Sequence, residues 1–105
     1  MPVSGDLIID KLGMNPQDRA MVVAETQIVI SCAASTNFDD PLLDALQINY
    51  FGCLRMFELA KECRNILCLL HVSTAYTNSN VHGKGVYVEE KVYDYEGGLD
   101  PEQIV

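Results

Sequence analysis

Ile66-Leu67-Cys68-Leu69-Leu70-His71-Val72-Ser73-Thr74-Ala75-Tyr76-Thr77-Asn78 is the stretch that decides the fold. An uninterrupted apolar run of this length, bounded by polar residues, reads as a strand buried on both faces, Ile66 to Val72. It ends in two hydroxyls, Ser73 and Thr74. In open α/β sheets the carboxyl edge of the strands is where ligands bind. A hydroxyl at that edge points to chemistry that handles a proton or polarises a carbonyl.

Working outward, Gln27 to Ser31 is a second β-branched run and reads as another buried parallel strand. Cys32-Ala33-Ala34-Ser35 follows it. Small residues after a buried strand either let a ligand approach the backbone or make a tight turn, and the pattern leaves both open. Between the two strands lies the longest predicted helix. Asp39 or Asp40 caps it, Pro41 takes its first position, and it runs to about Cys63. Leu42, Leu46, Cys53, Met56 and Ala60 share one stripe of this helix, and Asn49 sits among them. Gly52 inside it predicts close packing on the sheet. Asn15-Pro16 starts an earlier helix, Pro16 to about Glu25, with Asp18 in its first turn. Val3 reads as the end of a strand, and Leu7 to Leu12 as one or two helical turns stopped by Gly13. After Asn78 the chain turns polar, with Tyr87 to Tyr95 an edge strand or a loop. Pro101 starts a short helix. Strand alternating with helix predicts an α/β fold with a parallel sheet and right-handed crossovers.

The chain has 105 residues, room for one small domain, residues 1–105. A net charge of −8 with seven basic residues argues against nucleic acid and against anionic membrane surfaces. No run approaches the ~18 apolar residues of a membrane span. Met1 to Asp6 lacks the basic and apolar regions of a secretory signal. Cys32, Cys53, Cys63 and Cys68 are not spaced as Cys-x-x-Cys, and only His71 and His82 could join them, so no metal site is expected. The cysteines read as reduced thiols, three of them buried in apolar surroundings.

Several pieces in order carry a resemblance: Gly5-Asp6-Leu7, Ile28 to Ala34, Asn37-Phe38-Asp39, Asn49-Tyr50-Phe51-Gly52, Glu58-Leu59-Ala60-Lys61, His71 to Tyr76 and Glu89 to Tyr93. Together they resemble the extended short-chain dehydrogenase/reductases, and within them the alcohol-forming fatty acyl-CoA reductases. The resemblance implies a Rossmann sheet binding NADPH. It implies that Asp6 and Leu7 flank the adenine, and that Cys32, Ala33 and Ala34 line the ribose and nicotinamide side. Asn49 then supports the active site. Thr74, with Ser73 beside it, supplies the hydroxyl for the substrate carbonyl. The implied reaction is two hydride transfers from NADPH to a fatty acyl-CoA, through an aldehyde to a primary alcohol. The implied location is intracellular, at peroxisomes or the endoplasmic reticulum membrane.

The same resemblance places a glycine-rich phosphate loop before Val3 and a catalytic Tyr-x-x-x-Lys pair after Val105. Tyr87-Val88-Glu89-Glu90-Lys91 has that spacing, yet Gly83 and Gly85 precede it, two carboxylates fill it and its start is β-prone. It is read as a decoy. The expectation is a partial Rossmann fold lacking the first βαβ unit, an internal segment inactive by itself. The alternatives are another extended short-chain dehydrogenase, such as a carboxylate reductase domain or a sugar-nucleotide enzyme, or a non-catalytic interaction module.

Overall fold

Asn15-Pro16 starts a helix as the sequence predicts. The first helix, α1, is Pro16–Glu25. Asn15 Oδ1 accepts from the Asp18 backbone N–H at 2.8 Å, satisfying one of the free donors of the first turn. The computed structural model describes residues 1–74, 76, 78, 87, 89, 91 and 100–104. They fall into two compact units, Met1–Val72 and Ser73–Val105.

In the first unit, β1 (Ile28–Ser31) pairs in parallel with β2 (Cys68–His71). Ile28 lies beside Cys68, Val29 beside Leu69, Ile30 beside Leu70 and Ser31 beside His71. The ladder continues past both ends, through Leu67 N–H to Gln27 O and Val72 N–H to Ser31 O. The chain between the strands is helical from Leu42 to Glu62, so the pair is the βαβ unit that the alternation predicts. The fold is thus a partial Rossmann-like α/β arrangement.

The two strands are covered on one face only. Val29 and Ser31 are buried, whereas Ile28 and Ile30 are 59% and 64% exposed. The expectation of burial on both faces is corrected. Side chains alternate along a strand, and among the described residues helices meet only the Val29 side. Val3 likewise lies in no strand. Pro2 beside it has no N–H to give to a ladder.

The long helix differs from its prediction in three ways. It begins at Leu42, with Pro41 outside it and no side-chain cap. Asp39 and Asp40 do not cap it, because Asp40 bonds to Ser35 and Asn37 instead. It is also interrupted. After α2 (Leu42–Ala45) comes a π-helical segment, Leu46–Phe51, and then α3 (Gly52–Glu62). A π turn adds a residue to the turn, so the faces before and after it lose phase. Leu42, on the expected stripe, is therefore exposed. The buried face of α3 is Gly52, Leu59 and Ala60, continued by Cys63 at its end.

Leu7 to Leu12 is not an ordinary helical turn. Lys11, Leu12 and Gly13 all have positive φ, 51°, 61° and 59°. A left-handed turn costs non-glycine residues ~1–2 kcal/mol each. Three contacts hold it. Leu12 buries its side chain. Its carbonyl accepts from Asp6 N–H at 2.8 Å. The Lys11 carbonyl accepts from Arg19 Nη1 at 2.9 Å.

The cysteine expectation is corrected in part. All four thiols are free. Only Cys63 is buried, Cys53 is half-buried, and Cys32 and Cys68 are exposed. Cys32 lies in the loop after β1 and Cys68 on the strand face that, among the described residues, no helix covers. Burial pushes the Cys63 thiol above its ordinary pKa, helped by the Glu62 carboxylate and opposed by the Arg19 guanidinium.

In the second unit, α4 is Pro101–Ile104, as predicted from Pro101. Much of the expected edge strand or loop from Tyr87 to Tyr95 lies outside the described residues, as do Ala75 and the glycines Gly83 and Gly85.

Candidate functional site

Asn49 is the best-anchored of the residues singled out from the sequence. It lies in the π-helical segment, where its amide reaches the loop after β1. Asn49 Oδ1 accepts from the Ser35 N–H at 2.8 Å, and Asn49 Nδ2 donates to the Ser35 carbonyl at 3.1 Å. One side chain thus takes both backbone groups of Ser35, as a neighbouring strand does. The partners that a polar residue at this position needs are these two.

Ser35 is held from its side chain as well. Its hydroxyl donates to Asp40 Oδ2 in a short hydrogen bond. Asn37 Nδ2 donates to Asp40 Oδ1 at 2.6 Å, and Asn37 N–H donates to Ser35 Oγ at 3.3 Å. Cys32, Ala33 and Ala34 lie between β1 and this anchor. All three are exposed. The loop therefore has fixed ends and a small, open middle where a ligand can lie against the backbone.

Asp6 and Leu7 form the second piece. Asp6 Oδ1 accepts from Ile8 N–H at 3.0 Å, an Asx turn that shapes the loop. Leu7 packs on Gly52. A Cβ added at Gly52 would stand 3.1 Å from Leu7 Cβ. The glycine thus serves this loop rather than the sheet, correcting the expectation. Arg55 Nη1 donates to the Leu7 carbonyl at 2.8 Å and to the Gln47 carbonyl at 3.5 Å. One stretch of helix, Gln47 to Arg55, therefore holds both loops.

Ser73 and Thr74 follow Val72, one residue past the end of β2, and belong to the second unit. Both are exposed, and Thr74 Oγ1 accepts from Tyr76 N–H at 3.2 Å. Tyr87 is exposed, and Lys91 pairs with Glu89 at 2.6 Å. Neither Tyr87 nor Lys91 lies in a helix.

Two hollows adjoin the first loop. A cavity of about 210 Å³ is lined by Val3, Gly5, Asp6, Leu7, Leu12, Met14 and Met56. A wider one, about 450 Å³, is bounded by Ile8, Asp40, Asp44, Gln47 and Ile48. The wider one touches the loop after β1 at Asp40, and neither is lined by Cys32, Ala33, Ala34 or Ser35. No cluster of His, Cys, Asp and Glu suited to a metal ion occurs among the described residues. No helix among them is long and apolar enough to cross a membrane.

Sequence reasoning missed Arg55, Asp40 as the partner of Ser35, and a contact between Cys53 and His71. Arg55 could have been found as a cation three residues after a helix glycine, on the flank of the packing face. Asp40 could not, because Asp before Pro also reads as a cap.

A parallel βαβ unit with a small, open loop after its first strand is the arrangement of a Rossmann-type α/β domain. Residues 1–103 match the family of NAD-binding domains described as male sterility protein, and the chain belongs to that family. Its family type points to a nicotinamide cofactor. The chain is similar to fatty acyl-CoA reductase 8 of Arabidopsis thaliana, 46% identical over 72% of this chain and 16% of the relative. It is similar to fatty acyl-CoA reductase wat of Drosophila melanogaster, 34% identical over 87% of this chain and 17% of the relative. It is also similar to human fatty acyl-CoA reductase 1, 29% identical over 98% of this chain and 19% of the relative. The chain thus spans about a fifth or less of the length of these relatives.

Proposed function

We propose that residues 1–105 form the central part of the cofactor domain of an NADPH-dependent, alcohol-forming fatty acyl-CoA reductase. The observation that carries this reading is the two-point hold of Asn49 on Ser35, which fixes the open Cys32–Ala34 loop at the end of β1. Small side chains there leave the backbone accessible, which suits a ribose and nicotinamide. Asp6 and Leu7 would hold the adenine side, on a loop that Gly52 and Arg55 keep in place. NADPH, when bound, supplies hydride. The chain's own contribution is position and charge stabilisation. The Thr74 hydroxyl donates a hydrogen bond to the substrate carbonyl, whose oxygen gains negative charge as hydride arrives. Ser73 is its neighbour, and where a chain is extended only one of two successive side chains faces a given side. The substrate is a long-chain fatty acyl-CoA and the product a primary alcohol. The location in this reading is the peroxisome or the endoplasmic reticulum membrane.

A chimera tests this. The matching segment of an active fatty acyl-CoA reductase is replaced by these 105 residues, and NADPH binding and alcohol formation are measured together. The expected result is NADPH-dependent alcohol formation that is lost in Thr74→Ala with NADPH binding kept. A folded chimera that binds NADPH and makes no alcohol overturns the reading.

A further inference from the structure

Cys53 Sγ lies 3.7 Å from His71 Nδ1, within hydrogen-bond reach for sulfur. The two residues come from different elements, the first turn of α3 and the last residue of β2. Both elements are well tied. The β2 end is held by the ladder to Ser31 and by Val72 N–H to Ser31 O at 2.9 Å. The α3 end that carries Cys53 continues the π-helical segment, with Gly52 N–H donating to the Gln47 carbonyl. The contact therefore joins two ordered backbones rather than two loops. Cys53 is half-buried and His71 is exposed, so the sulfur and the imidazole can both be reached from solvent.

The other three thiols provide the contrast. Cys63 is buried, and that burial disfavours its thiolate. Cys32 and Cys68 are exposed, and their thiols have no hydrogen-bond or ionic partner among the described residues. Among the described residues, Cys53 alone combines access with a neighbouring imidazole. The nucleophile in thiol–disulfide exchange is the thiolate, and an adjacent base supplies it as the sulfur attacks.

We propose that Cys53 and His71 form a thiol-modification site for low-molecular-weight disulfides of the glutathione class. In the step, the Cys53 proton passes to His71 Nδ1 while Cys53 Sγ forms a bond to one sulfur of the disulfide. The disulfide bond of the reagent breaks, and its other half leaves as a thiolate that takes up the proton. Cys53 is oxidised to a mixed disulfide, and the departing half is reduced to a thiol. This proposal does not depend on the reductase reading, since it concerns no group assigned to that chemistry.

The test uses the 105-residue chain. It is incubated with oxidised glutathione, quenched with acid, and the four cysteines are followed by peptide mass spectrometry. A positioned base contributes ~100-fold at the lower end of general-base effects, and partial burial removes some of this. The expected lead of Cys53 over Cys32 and Cys68 is about tenfold, with Cys63 slowest. His71→Asn is expected to abolish the lead while leaving Cys32 unchanged. Persistent protection of Cys63 in the variant shows that the fold survives, and His71→Gln serves in its place if it does not. Cys53 reacting no faster than Cys32 or Cys68 in the unaltered chain overturns the proposal. So does a lead that persists in a folded His71 variant.

Discussion

Two helical stretches of this chain are announced by the same pair of residue types, an Asx followed by proline. At Asn15-Pro16 the side chain caps the helix, and α1 starts where the pair says it should. At Asp40-Pro41 it does not. The carboxylate is taken by the Ser35 hydroxyl and the Asn37 amide, Pro41 stays outside, and α2 starts uncapped. The Asx–Pro signal is equally strong in both places, but the competition differs. Among the described residues the Asn15 side chain bonds within its own first turn, to the Asp18 N–H and carboxylate. Asp40 faces two donors from the loop after β1, and that loop is itself held by Asn49 from the helix. A cap is given up where its carboxylate fastens a loop on which the proposed function depends.

The comparison can be broken at several points. Removing the helix's hold is expected to have the largest effect. Asn49→Ala leaves the Ser35 N–H and carbonyl to water, costing ~2 kcal/mol for two lost bonds at a partly open site. The check is a denaturant melt together with faster amide exchange at Ser35. Asp40→Ala should follow at ~1.5 kcal/mol, from two side-chain bonds of which each partner is otherwise solvated. Combined with Asn49→Ala it should be less than additive by ~0.5–1 kcal/mol, because both act through Ser35. Full additivity in that double-mutant cycle would mean that the two anchors are independent.

Asn15→Ala should cost ~1 kcal/mol, the ordinary price of a lost cap, with no change in exchange at Ser35. Asp40→Asn sharpens the contrast. Asn and Asp cap about equally well, so a capping Asp40 would tolerate the change. An acceptor of two donors should not, because an amide nitrogen now faces one of them. The expected loss is ~1 kcal/mol by the same melt.

The smallest expected effect is common to all these variants and comes from Cys63. Its pKa is raised in the folded chain, so the unfolded chain ionises first. Stability is therefore unaffected below the ordinary thiol range and falls as pH rises through it. Melts of Cys63→Ser against the parent across that range should show the alkaline decline weakened in the variant. The comparison of the two Asx–Pro sites belongs near neutral pH, where this contribution is silent.

The strand order, the α1 boundaries and the βαβ unit were legible from apolar runs and from Asn15-Pro16. These are local signals, in which neighbouring residues choose between few backbone states. The π-helical segment was not legible. It depends on Gln47, Asn49 and Gly52 each answering to a different part of the chain: the Arg55 guanidinium, Ser35 and Leu7. The left-handed turn at Lys11 and Leu12 was hidden for the same reason. Its conformational cost is visible in the residue types, whereas the burial of Leu12 and the Arg19 bond that offset it come from tertiary packing.

For the candidate site, residue types alone singled out Asn49 and the small Cys32–Ala34 loop, since a polar amide among apolar helix positions and small residues after a strand are both locally costly choices. That Asn49 closes on Ser35, that Asp40 abandons its helix to join them, and that Cys53 meets His71 were decided only in three dimensions. Each depends on the distance between elements far apart in the chain, which hydrophobic periodicity does not encode and packing does.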